Sequence, residues 1–136
     1  MANKPLILFV DDSEDFRDIF STKLTAEGFD VVTAVNGEDA LEKLKNINPE
    51  VILLDLEMPV MNGVETLLKI RSDDKFKNAK VLFCTNYGEP KERAAWTDEK
   101  FAKEIGAIGY LRKTDDLDTI AKQVKAYAST SININR

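Results

Sequence analysis

Three aspartates, a threonine and a lysine stand at the ends of short apolar runs in this 136-residue chain. Asp11-Asp12 follow Leu6–Val10, Asp55 follows Val51–Leu54, Thr85 follows Val81–Cys84, and Lys113 comes just after Ile108–Leu111. If those runs are neighbouring strands of one parallel sheet, all five residues project onto one edge. Two or three carboxylates within a few ångströms repel one another unless a cation lies between them. The donors are hard oxygens, there is no histidine, and the single cysteine, Cys84, sits inside an apolar run. That set suits Mg2+ (or Mn2+) far better than Zn2+. A metal-bound carboxylate beside an ammonium is a good phosphoryl acceptor, because the cation and Lys113 neutralise charge on the transferring group. Thr85 can donate its hydroxyl to a phosphoryl oxygen.

Each residue alone has a plainer reading. An Asp pair after a strand can cap a helix, and an isolated lysine is usually solvated. Asp55 says more, since an unpaired carboxylate after a buried strand is costly. The joint pattern is more specific than any member, because four strands supply it at corresponding ends.

The elements that must position these residues are legible as alternation. A further run, Val31–Val35, completes five of strand length, rich in Val, Ile, Leu or Phe and several of them continuously apolar, as strands covered on both faces are. Between them lie helical patterns. Ser13 caps a first helix, with Phe16, Ile19, Phe20 and Leu24 on one face and Gly28 as the stop. Asn36-Gly37 opens a second, with Ala40, Leu41, Leu44 and Ile47 inward. Gly63 precedes a third, a fourth runs through about 91–105 to Gly106, and a fifth begins near Asp115 or Asp116. The expected fold is α/β: a doubly wound (βα)5 parallel five-stranded sheet with flavodoxin-like strand order 2-1-3-4-5 and ligands at the carboxyl ends of the strands. Residues 1–136 read as one domain, with its core at about 5–128 and a polar tail at 129–136.

Composition narrows the function. With 43% hydrophobic and 32% charged residues the chain reads as a globular domain. Its 24 acids against 19 bases give a charge of −5, without the basic footprint of a nucleic-acid binder or a polybasic membrane patch. No signal peptide and no membrane-length apolar window are visible, and a lone cysteine fits a reducing compartment; a cytoplasmic location is expected. The lack of histidine excludes a Ser-His-Asp triad and any phosphohistidine on this chain.

The stretches Val10-Asp11-Asp12-Ser13, Asp55 through Gly63, Thr85, and Gly109-Tyr110-Leu111-Arg112-Lys113 closely resemble the response-regulator receiver family of two-component signalling, over about residues 5–128. The resemblance implies a stand-alone phosphorylation switch, not a multi-turnover enzyme. By that resemblance Asp55 is the phosphoacceptor, Asp12 and Asp55 ligate Mg2+ directly, Asp11 assists through water, and Glu57 offers its backbone carbonyl. Lys113 pairs with the phosphoryl group, and Thr85 and Tyr110 form the switch pair that alters the face made by the fourth helix, fifth strand and fifth helix. The implied donor is a sensor histidine kinase or histidine phosphotransfer protein, and the output is a protein target.

Four departures stand out. Thr114 replaces the proline that usually follows the lysine, Asn86 is bulkier than the small residue common there, Glu57 and Tyr87 occupy the positions that flank the attacking water, and the Asn86–Trp96 region is lengthened. Two other readings stay open: an Asp-nucleophile phosphohydrolase of the haloacid-dehalogenase type, which would want an Asp where Glu57 stands, and a pseudo-receiver that takes no phosphate.

Overall fold

The computed structural model describes residues 4–85 and 106–129, with Thr85 described by its backbone only. In chain order the elements are β1 (Leu6–Val10), α1 (Glu14–Ala26), β2 (Asp30–Ala34), α2 (Gly37–Leu44), β3 (Val51–Asp55), α3 (Gly63–Arg71), a 3-10 turn (Asp74–Phe76), β4 (Lys80–Thr85), β5 (Gly109–Arg112) and a C-terminal helix (Leu117–Ser129). The five strands form one sheet in the order β2-β1-β3-β4-β5, and every neighbouring pair is parallel. The expected fold and strand order are therefore observed. The expected fourth helix, at about 91–105, and the residues Asn86, Tyr87 and Trp96 lie outside the described residues.

Continuous apolar strands need cover on both faces, and the side chains divide accordingly. Leu8, Val10, Ile52, Leu54, Val81 and Phe83 pack with Ala40 and Leu44 of α2 and Leu67 and Ile70 of α3. Their strand neighbours Ile7, Phe9, Val51, Leu53, Leu82, Cys84 and Leu111 pack with Phe20 and Leu24 of α1 and Ile120, Ala121 and Val124 of the C-terminal helix. This is the period-two alternation of a strand serving two cores at once.

Local chemistry starts each helix where the sequence suggests. The Ser13 side chain accepts from the Phe16 N–H, Asn36 caps α2 through the Asp39 N–H, and Asp116 accepts from the Thr119 N–H. Asn62 caps α3 in a reciprocal box with Glu65, so Gly63 is that helix's first residue and not the one before it. Two side chains depart from expectation. Ile19 is 45% exposed, because at 100° per residue it lies a quarter-turn from Phe20 and outside the narrow stripe of Phe16, Phe20 and Leu24. Ile47 packs on the core from beyond the end of α2, which closes at Leu44.

The order of connection creates the functional edge. The chain leaves β1 for β2 on one side and then crosses to β3 on the other, so the connections after the paired strands β1 and β3 go to opposite faces, at the switch point where ligands of such sheets bind. The loop after β3 is folded back tightly: the Gly63 N–H donates to the Leu56 carbonyl at 2.9 Å. A Cβ on Gly63 would lie 2.5 Å from the Asp55 carbonyl oxygen and 2.8 Å from Leu56 Cα. In the same loop the exposed Val60 has φ 75, a left-handed conformation that strains a β-branched residue.

Two substitutions in this loop should therefore act in opposite directions. Gly63→Ala should destabilise by about 1–3 kcal/mol, since backbone atoms must move. Val60→Gly should cost nothing or gain up to about 1 kcal/mol by releasing strain. Urea unfolding measures both, and an unchanged midpoint for Gly63→Ala would show that the loop yields freely.

Candidate functional site

Asp11 follows directly on β1, Asp55 closes β3, and Lys113 follows directly on β5, so three elements deliver three charged side chains to the carboxyl edge. All three are buried, at 0%, 6% and 6% exposure respectively. Lys113 Nζ lies 2.6 Å from Asp11 Oδ2 and 3.4 Å from Asp55 Oδ1. Asp11 is further fixed by its own loop: its Oδ1 accepts from the Ser13 N–H at 2.9 Å, and its backbone carbonyl accepts from Arg17 Nη1 at 2.9 Å. Asp12 is exposed and stands at the mouth of the pocket. The Glu57 side chain is exposed, and its backbone N–H approaches Asp55 Oδ1 at 3.5 Å.

One ammonium does not balance this acid cluster. Burial, and then the negative charge of Asp11, push the Asp55 carboxyl up to about 7, with Lys113 and the Glu57 N–H opposing the rise. Burial works against the Lys113 ammonium, but its hydrogen bond to Asp11 and the charges of Asp55 and Asp11 outweigh it, and its pKa lies above the ordinary value. The lysine is thus a fixed positive charge, and Asp55 is the group whose charge can change near neutrality. Cys84, next to this edge but fully buried, has its thiol pushed up by burial and is held as the unreactive thiol.

Oxygen atoms from Asp11, Asp12 and Asp55 all lie within 4.8 Å of one another. Three carboxylates converging on one point, incompletely balanced by one buried ammonium, fit a hard divalent cation.

The structure brings Asp11, Asp12, Asp55 and Lys113 together. Thr85 is the last residue of β4 and stands in register with Arg112, one position before the lysine. Tyr110 is paired in register with Phe83 and is half-buried against the cluster shared with α2 and α3. The peptide bond at Thr114, where a proline is usual in the resembling family, is trans. Two neighbours were not anticipated. Arg17 reaches back to Asp11, and the Phe16 ring lies under Lys113, with Nζ 4.4 Å from the ring centroid. In the sequence Phe16 reads only as one of several core aromatics. The signal that sets it apart is its place one turn beyond the Asp11-Asp12-Ser13 cap.

Comparison with known proteins identifies the family and the fold. The model of the response regulator receiver domain matches residues 7–125. The sporulation initiation phosphotransferase F of Bacillus subtilis is 33% identical over 127 residues, spanning 93% of this chain and 96% of its own length. A transcriptional regulatory protein, the CpxR homolog of Haemophilus influenzae, is 41% identical over 134 residues, and this chain spans only 54% of that protein. A solved structure of the chemotaxis protein CheY4 of Vibrio cholerae superposes with a TM-score of 0.81 at 30% identity, covering 92% of this chain and 99% of its own.

The raised Asp55 pKa sets a pH dependence. A carboxyl that binds its proton more tightly folded than unfolded stabilises the fold below its unfolded pKa, and that stability is lost as pH rises through the folded value. In divalent-free buffer, stability should therefore fall between about pH 4 and about pH 7. Asp55→Asn should remove this fall and leave a protein more stable than the parent at pH 8, by an amount on the order of a few kcal/mol. Denaturant titrations across that range test it; parallel curves for parent and variant would contradict it.

Proposed function

Because the chain belongs to the response regulator receiver domain family, we propose that Asp55 accepts a phosphoryl group from a phosphohistidine on a sensor histidine kinase or histidine phosphotransfer protein. Receiver domains are phosphoacceptor signalling modules and not multi-turnover enzymes, which sets the phosphohydrolase reading aside. The observation that carries the proposal is the convergence of Asp11, Asp12 and Asp55 within 4.8 Å beside a buried ammonium.

The residues take distinct roles in this reading. The carboxylates of Asp12 and Asp55, with the Glu57 backbone carbonyl, would hold Mg2+ or Mn2+, and Asp11 would assist through water. When bound, the cation supplies positive charge that favours ionised Asp55 and offsets charge on the phosphoryl oxygens. An Asp55 oxygen attacks phosphorus. A P–O bond forms as the donor's P–N bond breaks, and the electron pair stays on the departing imidazole. Lys113, already 3.4 Å from Asp55 Oδ1, contacts the incoming phosphoryl oxygens. Asp11, Asp55 and Lys113 are buried, so their charges act with less screening than in bulk water.

Output follows from the neighbouring strands. The Thr85 hydroxyl donates to a phosphoryl oxygen on Asp55, a charge-assisted bond stronger than a neutral one. Tyr110, two positions back along the paired strand, buries its ring more deeply in response. A tyrosine is amphipathic and can keep its hydroxyl wet or turn its ring inward. The surface so altered, formed by β5, the C-terminal helix and the expected fourth helix, binds a protein target.

Incubation with acetyl phosphate and Mg2+ should add one phosphoryl group, read by intact mass, and Asp55→Asn should abolish it. Equal labelling of the variant would reject Asp55 as the acceptor, and an unlabelled parent would favour the pseudo-receiver reading.

A further inference from the structure

We propose that Phe16 is a positioning residue for Lys113: its ring face retains the ammonium over the acid pocket when a bound cation competes for the charge of Asp11. The inference rests on the phosphoacceptor reading above and extends it to a residue with no polar atom.

Among the described residues, the buried ammonium contacts Asp11 Oδ2 at 2.6 Å, Asp55 Oδ1 at 3.4 Å, and the Phe16 ring with its centroid at 4.4 Å. Only the first is a short ion pair, and Asp11 is also a member of the carboxylate cluster that suits a metal. Any cation sharing Asp11 weakens the lysine's best contact, and a buried ammonium left without partners is costly. An aromatic face attracts an ammonium through its quadrupole without competing for carboxylate or phosphoryl oxygens. It therefore holds the lysine near Asp55 while leaving its N–H donors free for the transferring group. An aliphatic side chain would fill the same space without that attraction.

The ring is itself built into the fold. It meets Phe20 edge-on, with centroids 6.1 Å apart and planes at 82°. Phe20 stacks on Phe9, at 4.8 Å and 18°, and Phe9 lies in β1 two positions before Asp11. The Phe16 N–H donates to Ser13 Oγ, and the Ser13 N–H donates to Asp11 Oδ1. Asp11 and the ring under Lys113 are thus fixed by the same helix cap, so the two partners of the ammonium keep a constant relation.

The test uses Phe16→Leu, which keeps apolar bulk, and Phe16→Tyr, which keeps the aromatic face. In the parent, the Lys113 Hε resonances should be shifted upfield by the ring current, and more so with Mg2+ present; Phe16→Leu should abolish the shift. With acetyl phosphate at saturating Mg2+, Phe16→Leu should phosphorylate on the order of 3–10-fold more slowly, the range expected of one cation–π contact. Phe16→Tyr should restore most of the rate, and Mg2+ affinity should change less than about two-fold in either variant. An unshifted Lys113 in the parent, a parental rate in Phe16→Leu, or a Tyr variant as slow as Leu would overturn the proposal. The parent's Lys113 shift needs no phosphorylation and no variant. Failure of the parent to label would therefore strike the phosphoacceptor reading, while the shift still decides the contact.

Discussion

Two buried carboxylates share one buried ammonium at the carboxyl edge of the sheet, and the rest of the site follows from that imbalance. Lys113 sits closer to Asp11 than to Asp55, at 2.6 Å against 3.4 Å. Asp11 is thereby the better neutralised of the two, with further support from the Ser13 N–H. Asp55 is left as the unsatisfied acid. Its carboxyl is pushed up to about 7 by burial and by Asp11, so it is poised to accept positive charge from outside. A strong structural ion pair would have quenched this; a wholly unpaired acid cluster would have opposed folding. The arrangement lies between the two.

That balance depends on a sheet whose strands stop at the same level. The connections after β1 and β3 diverge at the switch point, and Asp11 and Asp55 stand at the two strand ends there. The two loops beyond them are held by different devices. The first is drawn together by side-chain and backbone bonds from Asp11, Ser13 and Arg17. The second is pressed onto β3 through Gly63, where no Cβ fits, and carries its strain at Val60. The deep apolar packing on both faces holds the strand ends in place.

Much of this was legible in the residues. Runs of Val, Ile, Leu and Phe alternating with capped amphipathic segments specify a parallel sheet, and Ser13, Asn36 and Asp116 cap helices where their side-chain chemistry suggests. Asp11, Asp12, Asp55 and Lys113 converge because strand ends in such a sheet must. What the sequence withheld was angular and pairwise. Ile19 belongs to the helical period but falls outside the buried stripe. Lys113's preference for Asp11 depends on the path of its side chain over Phe16, and an aromatic beneath an ammonium has no signature in a one-dimensional pattern that also explains it as core. Thr85 and Tyr110 are placed by strand register, but register does not reveal how a side chain responds to a ligand.

The central claim is that Asp11, Asp12 and Asp55 form one site for a hard divalent cation beside the Lys113 ammonium. Calorimetric titration of Mg2+ across a range of pH, in buffers of different ionisation enthalpy, tests it directly. The account predicts saturable binding of one Mg2+, with proton release that diminishes as pH rises, because Asp55 holds its proton more tightly than an ordinary carboxyl. Equal Mg2+ affinity in the parent and in Asp55→Asn, or no binding at all, would contradict it.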